Sequence, residues 1–328
     1  MGRFGWMVSG TINCLRSNSR ARLCRTAALT FASVAFLFAQ FKPVDPKSAD
    51  DNPTFSAKVS LVRLLVSVRD ASGQLLTNLN KDDFRVLDSG KAQNISIFER
   101  NTSLPLSVAI LVDTSGSTET SLHYEITSIQ HFISTLLSAG NPQDSFALFS
   151  FSWHTDLEVD FSRNERKAEH ALHALHGQGG TSLYDAVYLA SNTLMNREGR
   201  HVMIVVTDGG DTTSYKQYPD ALASAQRSDA VLYPIIVVPI NADAGRNTGG
   251  EHALVTLAQS TGGKTFYPQS PDQLNVAFAD ILRELRTQYL IGFYPQEVPE
   301  RAHSYHALNV QIPQPSLRIS ARSGYYEP

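Results

Sequence analysis

Cysteine is nearly missing from these 328 residues: Cys14 and Cys24 are the only two, and both stand near the amino terminus. No disulfide or thiolate-bound metal is therefore available to anything folded beyond them, and no Cys follows the early apolar run in a position to carry a lipid. Charge is also sparse. Only 18% of residues are charged and the formal net charge is −3, without the clustered Lys and Arg that mark a nucleic-acid-binding face. The most apolar run, Ala27–Phe38, falls short of the about 20 residues that a membrane-spanning helix needs. A dinucleotide loop is absent as well, because Gly177-Gln-Gly-Gly-Thr-Ser lacks the G-x-G-x-x-G spacing. Ser115 and Ser117, on the turn after the apolar strand Val108–Val112, have no identifiable His and acid partner spaced for nucleophilic catalysis.

What is present begins with a basic leader. Residues 1–39 hold five Arg and no Asp or Glu, which leaves 23 basic against 31 acidic residues after them. The Arg residues precede Ala27–Phe38, which ends at Ala39-Gln40, the layout of an export signal. Residues 1–40 are thus expected to be a signal peptide or, uncleaved, an amino-terminal anchor that is the chain's sole membrane contact. Residues 41–56, rich in Pro, Asp, Ser and Lys, read as a solvated linker. The rest is expected to be exported, periplasmic or extracellular.

Two grammars follow. Val59–Val68, Phe84–Leu87 and Ile95–Phe98 are short β-like runs parted by turn chemistry at Asp70-Ala-Ser-Gly73 and Asp88-Ser-Gly90. From Ser107 the pattern changes to wholly apolar strands, Val108–Val112, Phe146–Phe151, Val202–Thr207, Leu232–Val238 and Lys264–Tyr267. They alternate with helical stripes such as Ile126/Ile129/Ile133/Leu136, Leu183/Val187/Ala190/Leu194 and Leu274/Phe278/Ile281/Leu285. This pattern predicts an α/β fold, a doubly wound and mainly parallel sheet flanked by helices. Strands return at Tyr289–Tyr294, Ala307–Ile312 and Leu317–Ala321. Neither terminal set suffices alone, so residues 57–103 and 288–328 are expected to pair into one small β-sandwich, with the α/β domain, residues 104–287, inserted between them.

The chemistry concentrates at the end of the first α/β strand, where Asp113-Thr-Ser115-Gly-Ser117 puts one carboxylate and two hydroxyls on a tight turn. Ligands of such sheets bind beyond the carboxyl ends of the strands. Thr181, after Gly179-Gly180, and Asp208, after Val202–Thr207, stand at matching junctions. Asp113, Ser115, Ser117, Thr181 and Asp208 offer only oxygen donors, suited to Mg²⁺, with Mn²⁺ or Ca²⁺ as alternatives. Two carboxylates leave such an ion nearly neutralised yet able to accept one more anionic oxygen.

The order D-x-S-x-S, then Thr, then Asp resembles the metal-ion-dependent adhesion site of the von Willebrand factor A domains, over about residues 105–285. The resemblance implies that Ser115, Ser117 and Thr181 hold the metal directly or nearly so, that Asp113 and Asp208 hold it partly through water, and that a protein partner's Asp or Glu completes the shell. The flanks Val66-Ser-Val-Arg-Asp70, Lys81-Asp-Asp-Phe84, Tyr289-Leu-Ile-Gly-Phe-Tyr294 and Arg322-Ser-Gly-Tyr-Tyr326 look like an exported acidobacterial group of such proteins. That group brings no assigned activity; the adhesion-site motif implies a protein-binding module, and no catalytic residue is expected.

Blander readings stand beside these. Asp113–Ser117 in isolation reads as caps and turns. Ser182-Leu-Tyr-Asp185 fits a capping box, and Asp211 reads equally as a cap. His170, His173 and His176 drift around a helix without a further ligand and read as an exposed helix end. An envelope scaffold with a structural metal is one alternative function. A Mg²⁺-dependent phosphate-transferring hydrolase is another, though Ser115 stands where its second carboxylate belongs.

Overall fold

The computed structural model describes residues 61–237, 248–296 and 304–326, so the expectations for the leader and linker lie outside the described residues. In chain order the described part opens with β1 (Val62–Arg69), β2 (Arg85–Asp88), β3 (Lys91–Gln93) and β4 (Ile95–Glu99). It continues through β5 (Leu106–Asp113), α1 (Leu122–Ser138), β6 (Ser145–Phe151), β7 (Thr155–Ser162), α2 (Glu165–Ala174), α3 (Leu183–Leu194) and β8 (Arg200–Thr207). Then come α4 (Tyr218–Arg227), β9 (Val231–Ile236), α5 (Thr248–Thr261) and α6 (Pro271–Thr287). The last strands are β10 (Tyr289–Phe293), β11 (Tyr305–Gln311), β12 (Arg318–Ser320) and β13 (Gly324–Tyr326).

The apolar strands form one sheet in the order β7-β6-β5-β8-β9. β5 lies parallel to both β6 and β8, and β8 is parallel to β9. Because all of β5 is buried, its side chains must serve two cores. Leu106, Val108, Ile110 and Val112 join the stripes of α1, α2 and α6, while Ala109 and Leu111 join those of α3, α4 and α5. Helices cover both faces, as continuous apolar strands require. The fold class is thus the expected α/β one.

Two local expectations change. β7 is an antiparallel edge strand that the sequence reading did not name. Its run Thr-Asp-Leu-Glu-Val-Asp-Phe-Ser is mostly solvent-facing, so polarity hid it. Lys264–Tyr267 contributes only a single parallel bridge, Ile235 to Phe266, and no full strand.

The remaining strands make two antiparallel sheets, β12-β1-β10-β4 and β13-β11-β2-β3. Each takes two strands from before the α/β segment and two from after it, and both feed one apolar cluster that includes Leu64, Val66, Val86, Ile291, Phe293, Leu308 and Tyr325. Among the described residues no helix is long and apolar enough to cross a membrane.

One polar joint ties the antiparallel sheets to the α/β body. Glu284 of α6 is fully buried and pairs with Arg69 of β1. It also accepts a hydrogen bond from the Tyr233 hydroxyl of β9 at 3.3 Å, and the Gln288 amide donates to that hydroxyl at 3.4 Å. Removing the guanidinium leaves a buried charge without its counter-ion. Arg69→Ala is therefore expected to lower unfolding stability by about 3 kcal/mol in urea titration, whereas a loss under about 1 kcal/mol would show that the joint carries no such burden.

Candidate metal centre

β5 ends in Asp113, whose side chain is fully buried. Its carboxylate is held from two directions: Oδ1 accepts the Ser115 backbone N–H at 2.8 Å, and Oδ2 accepts the Thr207 hydroxyl at 2.5 Å. The turn that follows is shaped by Thr118, whose hydroxyl donates toward the carbonyls of Asp113 and Ser115 at 3.0 and 2.9 Å. Thr114 donates its N–H to Phe151 O at 2.9 Å, fixing the turn to the end of β6. Side chains that bond back to the local backbone are what such short polar turns use in place of a ladder.

Above Asp113 three of the sequence-predicted donors form a chain of contacts. Ser115 Oγ lies 3.1 Å from Ser117 Oγ, and the Ser117 hydroxyl donates to Asp208 Oδ1 at 3.0 Å. Asp208 directly follows β8. Thr181 arrives from another element, the loop that leads into α3. Gly179 O accepts Gly116 N–H at 3.1 Å and Thr114 O accepts Gln178 N–H at 2.7 Å, so the two loops are laced together. Gly179 has φ +81, and a Cβ there would meet the Trp153 ring at 2.1 Å, so both conformation and space demand glycine. Thr181 itself is buried, with its N–H bonded to Thr212 Oγ1 at 2.8 Å. Among the described residues its hydroxyl makes no hydrogen bond to the other four. The structure therefore joins Asp113, Ser115, Ser117 and Asp208 through direct contacts and shared neighbours, and brings Thr181 to the same rim through backbone.

Asp185 and Asp211 hold each other's loops. Asp185 accepts the N–H groups of Tyr215 and Lys216 at 3.0 and 2.8 Å. The capping-box expectation for Ser182-Leu-Tyr-Asp185 is thus corrected. Asp211 does the work at the start of α3, accepting Tyr184 N–H at 3.2 Å. The loop between β8 and α4 could reach that end of α3, which the local spacing did not show. His170, His173 and His176 are all exposed, and among the described residues no group of three or more His, Cys, Asp or Glu is placed to hold a metal.

A sixth polar residue was missed. Glu125 on the first turn of α1 is fully buried, and neither carboxylate oxygen has a hydrogen-bond partner among the described residues. The signal was legible: Glu125 falls on the Leu122/Ile126/Ile129 stripe, where an acid has no reason to be unless something compensates it. Burial pushes its carboxyl up to about 8, the nearby Ser121 side chain pulling the other way and the negative charges of Asp113 and Asp208 adding to the rise. Burial likewise pushes Asp113 up to about 6, against the Thr207 and Ser115 hydrogen bonds that hold it down. Asp208 is raised by burial too, with the Ser117 hydroxyl pulling the other way. The residues fit a cation. The Ser115 and Ser117 hydroxyls, linked to the Asp208 carboxylate with Asp113 directly below, are an oxygen-only donor set of the kind a hard cation takes.

The family model for the von Willebrand factor type A domain matches residues 107–280. No curated protein sequence matches the chain. Among solved structures, the von Willebrand factor domain of the type V pili tip protein Mfa5 from Porphyromonas gingivalis is similar at 15% identity, over 56% of this chain and 95% of that one, with a TM-score of 0.44. A von Willebrand factor type A protein from Catenulispora acidiphila is similar at 11% identity, over 83% and 74% of the two chains, with a TM-score of 0.47. The PilB minor pilin from Streptococcus sanguinis is similar at 14% identity, over 56% and 62%, with a TM-score of 0.43.

A carboxyl raised on folding keeps a proton that the unfolded chain releases. Between the ordinary values of 3.8 and 4.5 and the folded values of about 6 and about 8, stability must therefore fall as pH rises, by about 1.4 kcal/mol per pH unit for each such proton. Metal-free protein is expected to melt at progressively lower temperature from pH 5 to pH 8, and Glu125→Gln should flatten the upper part of that decline. A melting temperature independent of pH in chelator would contradict this account.

Proposed function

The chain belongs to the von Willebrand factor type A domain family, and from that premise we propose that it is an exported, divalent-metal-dependent protein-binding module rather than an enzyme. The observation that carries the reading is the contact chain Ser115–Ser117–Asp208 above the sealed carboxylate of Asp113. Oxygen donors alone, few of them charged, favour Mg²⁺ or Mn²⁺ over softer metals. Asp113, Ser115, Ser117, Thr181 and Asp208 would hold the ion, which when bound offers a positive centre to one more anionic oxygen. A partner's Asp or Glu supplies that oxygen.

The chain's own residues do the rest. Thr207 and the Ser115 amide orient Asp113, and the lacing of Gly116 to Gly179 keeps the Thr181 loop at the same rim. Two aromatics flank this end of the sheet. Trp153, which overhangs Gly179, is 57% exposed, and Tyr215, on the loop held by Asp185, is 89% exposed. Exposed aromatics around a charged centre are what a binding face uses for contact area. The basic leader supports export.

In calorimetric titration of Mg²⁺ and Mn²⁺ into chelated protein, one ion is expected to bind per chain, and Asp113→Ala to abolish it. No binding would mean that the five residues serve only as caps and turns. For a carboxylate-bearing partner captured on metal-loaded protein, Trp153→Ala should weaken binding at least tenfold with an unchanged melting temperature. Undiminished partner binding in Asp113→Ala together with a lowered melting temperature would favour the scaffold alternative, with a purely structural metal.

A further inference from the structure

The opposite end of the main sheet carries the reverse polarity. A cavity of about 280 Å³ opens there, and five arginines, Arg63, Arg197, Arg200, Arg227 and Arg322, stand on its lining, with Asp229 as the one carboxylate among the described residues. Arg200 and His201 on the lining begin β8, and Val231 begins β9. The candidate metal centre lies at the other ends of these strands, about 25 Å away for eight residues of strand. The concentration is not a reflection of overall charge, since acidic residues exceed basic ones, 31 to 28.

Two of the arginines are committed to structure. Arg322 pairs with Asp229 and donates to the Arg63 carbonyl at 2.7 Å, tying the segment between β12 and β13 to β1 and to the end of α4. Arg200 is buried and, among the described residues, bonds only to carbonyls, those of Leu104 and Leu285. Burial, with Arg286 close by, brings it down to about 10, against the opposing pull of Asp144 and Tyr233. The single acid on the lining is thus already spent on Arg322, whose Nε stays buried without a partner.

The other three are available. Arg63 is exposed on β1, with no carboxylate against it among the described residues. Arg227 lies over the Tyr326 ring at 4.7 Å, and Arg197 over the Phe161 ring at 4.7 Å with long contacts to the hydroxyls of Ser107 and Ser145. A guanidinium stacked on a ring is held in place: Arg197 spends Nε and Nη2 on the two serines and keeps Nη1, whereas Arg227 makes no hydrogen bond among the described residues and keeps the whole fork with which Arg grips phosphate and carboxylate. Leu65, Leu104 and Leu290 give the cavity apolar walls, which lower the local dielectric and strengthen the attraction for an anion.

We propose that this cavity is an anion-binding site for a small multivalent anion of the phosphate or carboxylate class, gripped by Arg63, Arg197 and Arg227. Such an anion would bridge β1 and α4, and so pin the antiparallel sheets to the α/β body at a place independent of the metal centre.

The test is calorimetric and thermal-shift titration of the full chain, in chelator and at ionic strength fixed with NaCl, using pyrophosphate for the phosphate class and citrate for the carboxylate class. Saturable one-to-one binding of either is expected, with a raised melting temperature. Binding of pyrophosphate alone or of citrate alone assigns the class. Arg63→Ala/Arg227→Ala should weaken binding at least tenfold, while leaving the melting temperature without anion unchanged; Arg63→Gln alone, at an exposed strand position, should weaken it in the same direction should the double variant fold poorly. Asp113→Ala should leave it unaltered. Failure of both anions to saturate, or affinity within twofold of the parent in the arginine variants, would overturn the proposal.

Discussion

A carboxylate sealed at the end of a strand has to be neutralised, and Asp113 sets that condition for everything around it. β5 is buried along its whole length, so the chain delivers Asp113 into a place from which water is excluded. Thr207 and the Ser115 amide supply two hydrogen bonds, yet hydrogen bonds alone do not cancel a charge in such surroundings. Asp208 adds to the deficit instead of relieving it. The local structure follows from the need to aim oxygens at one point. Thr118 curls the turn, Gly179 lets the second loop approach, and Asp185 and Asp211 brace the third.

The sheet has two ends, and the fold uses them differently. Carboxylates and hydroxyls gather at the carboxyl ends of β5 and β8, and guanidinium groups gather near their amino ends. Between the two, Glu284 and Arg69 couple α6 to β1. The last helix of the α/β segment is thus held by one strand of the antiparallel sheets and runs straight into another, β10, so a buried ion pair and a continuous chain both join the two parts.

Much of this was legible in the sequence wherever burial is two-sided. β5, β6, β8 and β9 are runs of apolar residues that no surface element would tolerate, and the stripes on α1, α3 and α6 repeat with the helical period. The strand-end positions of Asp113, Ser115, Ser117, Thr181 and Asp208 were legible for a related reason: each follows or precedes an apolar run whose end is plain in the sequence. What escaped was one-sided or long-range. β7 alternates and sits at an edge, so it resembled a loop. Asp185 looked like a local cap because its partners, Tyr215 and Lys216, are 30 and 31 residues away. Glu125 was overlooked although its place on an apolar stripe marked it. The arginine cavity draws on five separate elements and loops, and no window of sequence contains it.

Completion of the donor set around Asp113 by a divalent cation is what the rest depends on. Crystals grown with Mn²⁺ and measured near the manganese absorption edge test it most directly. The account predicts one anomalous peak per chain, in contact with the Ser115 and Ser117 hydroxyls and next to Asp208. Absence of a peak there, with Mn²⁺ found elsewhere or not at all, would contradict it.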